Sequence, residues 1–130
     1  LKHKLEIDYA EQEMVKILGY TENMREWMQT ADVLITKAGG VTISEALASN
    51  IPLILFNPVP GQEMENAIYF RKNGMAKIAK NLEEVLDCLE ELFFENNIKK
   101  IKYNMTKNYL PRASYNICKD IMGILELNKI

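Results

Sequence analysis

Val33-Leu-Ile-Thr-Lys-Ala-Gly-Gly-Val-Thr-Ile-Ser-Glu45 decides the fold. The apolar run Val33–Thr36 reads as a buried strand, Gly39-Gly40 as a tight turn, and Val41–Glu45 as the first turns of a helix. Adjacent glycines let the backbone bend and come close to a ligand. A helix start behind them presents unpaired N–H groups and a partial positive charge, which together suit an anion such as a phosphate. A second polar cluster, Pro60-Gly-Gln-Glu-Met-Glu-Asn66, follows the apolar run Leu53–Phe56. Polar turns at the carboxyl ends of adjacent strands are where open α/β sheets hold ligands.

Outward from this stretch, short apolar runs alternate with helix-period segments, the pattern of βα units and a parallel sheet. Val15–Leu18 is the first strand candidate. Thr21 stands where it would cap a helix carrying Met24, Trp27, Met28 and Ala31 on one face. The glycine turn leads a helix to about Ser49, and Pro52 precedes the strand Leu53–Phe56. Pro58 and Pro60 stop that strand and stiffen the loop behind it. A helix from about Gln62 ends at Asn73-Gly74, and Met75–Ala79 is a short strand. Asn81 caps a helix with Val85, Leu86, Leu89, Leu92 and Phe93 as its apolar stripe. Helical stretches at about Ile98–Tyr109 and Arg112–Leu127 flank Pro111. Residues 1 to about 13 carry no strand pattern and read as the tail of a helix.

The chain of 130 residues is 48% hydrophobic and 26% charged, enough for one core and near ordinary globular usage. A net charge of −2 argues against a general nucleic-acid binder. Between Asn96 and Lys119 there is no acidic residue, whereas Lys99, Lys100, Lys102, Lys107, Arg112 and Lys119 all fall there. Such a run reads as a solvated helix face or as an attraction to anionic lipid headgroups. Cys88 and Cys118 sit among apolar neighbours without metal-ligand spacing and read as reduced core residues of a cytosolic protein. No apolar run approaches the roughly 20 residues that span a bilayer, and the first residues do not resemble a signal peptide. The lone His3 has no nucleophile or carboxylate partner in its vicinity and is expected to be exposed. No Ser/His/Asp constellation, Cys–His pair or metal-ligand cluster is evident, so no catalytic base is assigned.

Two accounts fit Thr42 and Glu45. Thr-x-x-Glu at a helix start is the capping-box spacing, in which both side chains satisfy backbone N–H groups. In the other account Thr42 and the N–H groups of Gly40, Val41 and Thr42 hold a diphosphate, and Glu45 accepts hydrogen bonds from the vicinal hydroxyls of a ribose. A carboxylate suits a diol because it only accepts and takes two donors at once. Lys37, at the end of its strand, would neutralise phosphate charge. Gln62 and Glu63 are either the polar first turn of a helix or the groups that read sugar hydroxyls. Asn66, one turn further in, would touch the ligand or orient the loop. Tyr20 and Met24 would pack against a base whose edge meets backbone at Gly19–Thr21.

Taken in order, Leu18-Gly-Tyr-Thr-Glu-Asn-Met24, Ala31 to Ala46 and Pro58 to Asn66 resemble the carboxyl-terminal, donor-binding domain of two-domain GT-B glycosyltransferases. The group it most resembles comprises monogalactosyldiacylglycerol synthases and processive diacylglycerol glucosyltransferases. The bacterial transferase that adds N-acetylglucosamine to undecaprenyl-linked muramyl-pentapeptide is a more distant relative. The resemblance implies an α/β, Rossmann-like parallel sheet flanked by helices, the carboxyl-terminal half of a GT-B fold without its first strand. It implies a UDP-sugar donor, with Gly40, Val41 and Thr42 at the diphosphate, Glu45 at the ribose, Gln62 and Glu63 at the sugar, and the Tyr20–Met24 segment beside uracil; Gly39 belongs to the same donor site. No cofactor or metal is implied beyond the UDP-sugar co-substrate. Where the family commonly has proline after the lysine, Ala38 stands here and should relax the turn.

These enzymes carry an acceptor-binding domain ahead of this one, so residues 1–130 are expected to be a partial donor-binding domain with a lipid acceptor such as diacylglycerol served by the missing part. The expected location is cytoplasmic, peripheral on the inner face of the cell membrane. Two other readings remain open: an isomerase resembling UDP-N-acetylglucosamine 2-epimerase, and a non-catalytic nucleotide-sugar-binding subunit.

Overall fold

The computed structural model describes residues 1–127. Three parallel strands, β1 (Leu34–Thr36), β2 (Leu53–Phe56) and β3 (Ala76–Ala79), form a sheet in the order β1-β2-β3. Leu34 pairs with Leu53, and Leu53 in turn with Ala76. Leu53, Ile54 and Leu55 are all fully buried, so β2 is covered on both faces, as a central parallel strand requires.

Helix α3 (Gly40–Ser49) connects β1 to β2, and α4 (Gln62–Lys72) connects β2 to β3. Next comes α5 (Leu82–Phe93), which packs on β2 and β3, and then α6 (Asn97–Asn108), which packs on α5. Ahead of the sheet lie α1 (Lys2–Asp8) and α2 (Met24–Thr30), with α2 against α3. The last helix is α7 (Ala113–Leu127).

The helix ends show why these segments stop where they do. Asn50 adopts a left-handed conformation (φ 53°, ψ 40°), and Ile51 N donates to Ala46 O, ending α3. Gly74 (φ +66°) ends α4, and Met75 N donates to Phe70 O. A Cβ at Gly74 would also lie 2.5 Å from Asn104 Nδ2, which donates to Gly74 O and ties α6 to this corner. Asn81 caps α5 as expected. Its Oδ1 accepts from Glu84 N at 2.9 Å while Glu84 Oε2 accepts from Lys80 N at 2.8 Å.

Several expectations are corrected. Val15–Leu18 forms no strand: among the described residues it joins no ladder with β1, β2 or β3, and without a ladder its backbone gains nothing from extension. Thr21 does not cap α2; its hydroxyl accepts from Asn23 N, and Asn23 occupies the cap position. On α5, Val85 and Leu92 are buried but Leu86 and Phe93 are exposed, because the sheet covers only part of the apolar stripe. Cys118 is exposed on α7, where residues 113–126 all face solvent, and Cys88 is half-buried; both are free thiols. Burial pushes the Cys88 thiol above its ordinary value.

Candidate functional site

The site is built where β1 and β2 end and their helices begin. Thr36 closes β1, Ala38 is fully buried, and Gly39 occupies the N-cap position of α3 with φ −70°. The first helical bond runs from Ile43 N to Gly39 O at 3.1 Å. The amides of Gly40, Val41 and Thr42 therefore have no acceptor inside the helix. Gly40 and Val41 are exposed, Gly39 and Thr42 half-buried, so this turn is not packed inside the protein.

The two glycines are not explained by backbone strain. Gly39 has a φ open to any residue, and a Cβ added at Gly39 or Gly40 would meet nothing within 4 Å. The space beside both glycines is open, at a helix start whose first three amides have no acceptor within the helix.

The capping-box account of Thr42 and Glu45 fails. Because α3 starts at Gly40, Thr42 is already its third residue, and no side chain caps the helix. Only Ser44 bonds locally, its hydroxyl donating to Gly40 O at 2.7 Å. Thr42 is half-buried and Glu45 exposed, and neither side chain has a protein hydrogen-bond partner among the described residues. Glu45 lines a cavity of about 310 Å³ between α2 and α3, shared with Arg25, Met28 and Tyr109. Arg25 and Tyr109 gave no signal in the sequence, since their neighbourhood is created by the packing of α2 on α3 and by the turn after α6.

The loop before α4 supplies the second set. Gly61 caps α4 at φ 104° and ψ −143°, a conformation left almost wholly to glycine. Gln62 is exposed as the first residue of α4. Glu63 is half-buried, and its Oε2 accepts from Val59 N at 3.4 Å, so its carboxylate leans back over the proline loop. Asn66 Nδ2 donates to Ala38 O at 3.0 Å, joining α4 to the glycine turn. That bond is the loop-orienting alternative for Asn66, and it fixes the turn at the position where the resembling family places proline.

The structure thus brings Gly39 to Thr42 and Glu45 onto one helix start and links them to the Gln62–Asn66 turn through Asn66. Lys37 is exposed immediately after β1. Tyr20 is 95% exposed and lies outside the Glu45 cavity; Met24, the first residue of α2, is 45% exposed. No three His, Cys, Asp or Glu side chains converge as a metal-binding group among the described residues.

This strand–glycine turn–helix unit can be set against known proteins. The model described as glycosyltransferase family 28 C-terminal domain matches residues 1–121. The chain belongs to this family. Its parallel sheet with flanking helices is the Rossmann-like arrangement of the carboxyl-terminal half of a GT-B fold. Among curated relatives, a processive diacylglycerol beta-glucosyltransferase of Staphylococcus haemolyticus is 41% identical over 127 residues, covering 97% of this chain. The protein of that name from Staphylococcus carnosus is 42% identical over 127 residues, and the one from Staphylococcus aureus strain Newman 40% over 126. The chain spans 32% of the length of each of these relatives. No helix among the described residues is long and apolar enough to cross a membrane.

Proposed function

We propose that this chain is the donor-binding portion of a UDP-sugar-dependent glycosyltransferase that transfers a hexose to a lipid acceptor such as diacylglycerol. The observation that carries this reading is the trio of unpaired amides at Gly40, Val41 and Thr42, with an uncapped Thr42 and a free Glu45 behind them. The names of the relatives, beta-glucosyltransferases acting on diacylglycerol, favour glucose as the sugar and a β linkage as the product.

In this reading the amides and the positive end of α3 hold the donor diphosphate, and Lys37 neutralises part of its charge. Glu45 accepts from the ribose hydroxyls, Gln62 and Glu63 meet the sugar, and the Tyr20–Met24 segment flanks uracil. The acceptor hydroxyl attacks the anomeric carbon, the bond from that carbon to the diphosphate breaks, and UDP leaves. Fixed N–H dipoles stabilise the charge that develops on the departing phosphate. The hydroxyl proton passes to a base outside this chain, on an acceptor-binding domain that also supplies the lipid site. No resident metal or cofactor takes part, and the enzyme works at the cytoplasmic face of the membrane as a peripheral protein. Residues 1–130 alone bind donor weakly and transfer nothing.

The test is Glu45→Ala in a longer polypeptide that carries this chain behind its acceptor-binding domain, assayed with UDP-glucose and diacylglycerol. Losing a charge-assisted hydrogen bond of about 1.5–3 kcal/mol raises the donor KM by at least about tenfold. An unchanged donor KM removes Glu45 from the site, and an absence of lipid glycosylation by the unaltered protein overturns the reading.

A further inference from the structure

At the opposite end of the sheet from the glycine turn, where β3 begins, the end of α4, β3 and α6 enclose a second cavity of about 310 Å³. That volume lies at the lower limit of small-molecule sites, about 300–1,000 Å³. Three cations line it, Arg71, Lys77 and Lys100, against one carboxylate, Glu91. Glu91 is already committed, since it forms an ion pair with Lys77. Arg71 and Lys100 are exposed and form no ion pair among the described residues. In a chain whose net charge is −2, two uncompensated cations facing one concave surface make a local excess of positive charge.

The frame around these cations is fixed. Asn104 Nδ2 donates to Gly74 O at 3.1 Å and Asn97 Nδ2 to Glu91 O at 2.7 Å, so both amide side chains hold backbone in place. Asn97 is the first residue of α6, so the first turn of that helix borders the cavity, with Asn97 and Lys100 in its lining. The rest of the acid-free run places Lys99 on the same helix, exposed.

We propose that this cavity is an anion site that takes a phosphate group, held by the Arg71 guanidinium and the Lys100 ammonium beside the neutralised Lys77–Glu91 pair. Arg71 offers a planar fork matched to two phosphate oxygens, and Lys100 a point charge. The site is independent of the donor reading, because it shares no residue with the glycine turn or the Gln62–Asn66 cluster. A phosphate of this kind arrives free in solution or on an anionic lipid headgroup.

The experiment titrates the chain with inorganic phosphate by calorimetry and, separately, with vesicles of phosphatidylglycerol mixed into phosphatidylcholine by co-sedimentation. Three proteins are compared: the unaltered chain, Arg71→Gln with Lys100→Gln, and Lys107→Gln with Lys119→Gln, which removes the same charge outside the cavity. All four substituted residues are exposed, and circular dichroism confirms that the variants fold. The cavity pair lowers affinity at least tenfold, and the outer pair less than twofold. Binding of free phosphate assigns the site to a soluble phosphate; binding of vesicles alone assigns it to a lipid headgroup. Equal losses in both variants, or an unaltered chain that binds neither probe, overturn the proposal.

Discussion

Asn66 Nδ2 donates to Ala38 O across 28 positions of sequence, at 3.0 Å and partly buried. Through this bond the helix that follows the second strand holds the turn that follows the first. The turn's amides are useful to an anion only if they stay aimed at it, so the asparagine positions groups that it does not itself contribute.

Asn66→Ala should therefore lower both stability and donor affinity. A partly buried hydrogen bond is worth roughly 0.5–1.5 kcal/mol to the fold, and leaving the Ala38 carbonyl without its partner sets the loss near the upper value. Asn66→Asp should be worse at neutral pH, since a carboxylate would face a carbonyl oxygen. Thermal melts paired with calorimetric UDP titrations check this; a loss of stability with no change in affinity would confine Asn66 to a structural role.

Gly40→Ala separates the fold from the site. A Cβ there meets nothing within 4 Å, and alanine is the better helix former by up to about 1 kcal/mol. Stability should hold or rise slightly while UDP affinity falls about tenfold or more, because the methyl occupies the approach to the amides. Urea unfolding and calorimetry on the same variant read the two effects; unchanged affinity would mean that nothing comes close at Gly40.

Gly74→Ala should do the reverse, damaging the fold without touching the donor site. Its φ of +66° costs an L residue roughly 1–2 kcal/mol, and its Cβ would stand 2.5 Å from Asn104 Nδ2. Adding Asn104→Ala relieves the crowding but not the φ cost, so a double-mutant cycle in urea should show a coupling between the two positions. Additive losses would contradict the crowding.

Much of this arrangement was legible because its signals are local. Leu53–Phe56 is a short apolar run bounded by prolines, Asn73-Gly74 is a helix stop, and Asn81 with Glu84 spells its own cap. Signals that depend on a partner misled. Val15–Leu18 has strand composition, but a strand is a property of a pair, and among the described residues this segment pairs with no strand. Thr42 and Glu45 have capping-box spacing, yet the helix begins two residues earlier, at Gly40, and leaves both side chains unemployed in the fold. Cys118 has apolar neighbours in sequence but solvent around it. The cavity that joins Glu45 to Arg25 and Tyr109 was invisible because it needs three segments distant in sequence.

The measurement closest to the central claim follows backbone amide resonances of ¹⁵N-labelled chain during titration with UDP and with uridine. Even weak binding moves shifts in the fast-exchange regime. The account predicts that Gly40, Val41 and Thr42 move with UDP and scarcely with uridine, since the diphosphate is what they hold. If UDP shifts other amides and leaves these three in place, or shifts none at all, the glycine turn is not a phosphate cradle.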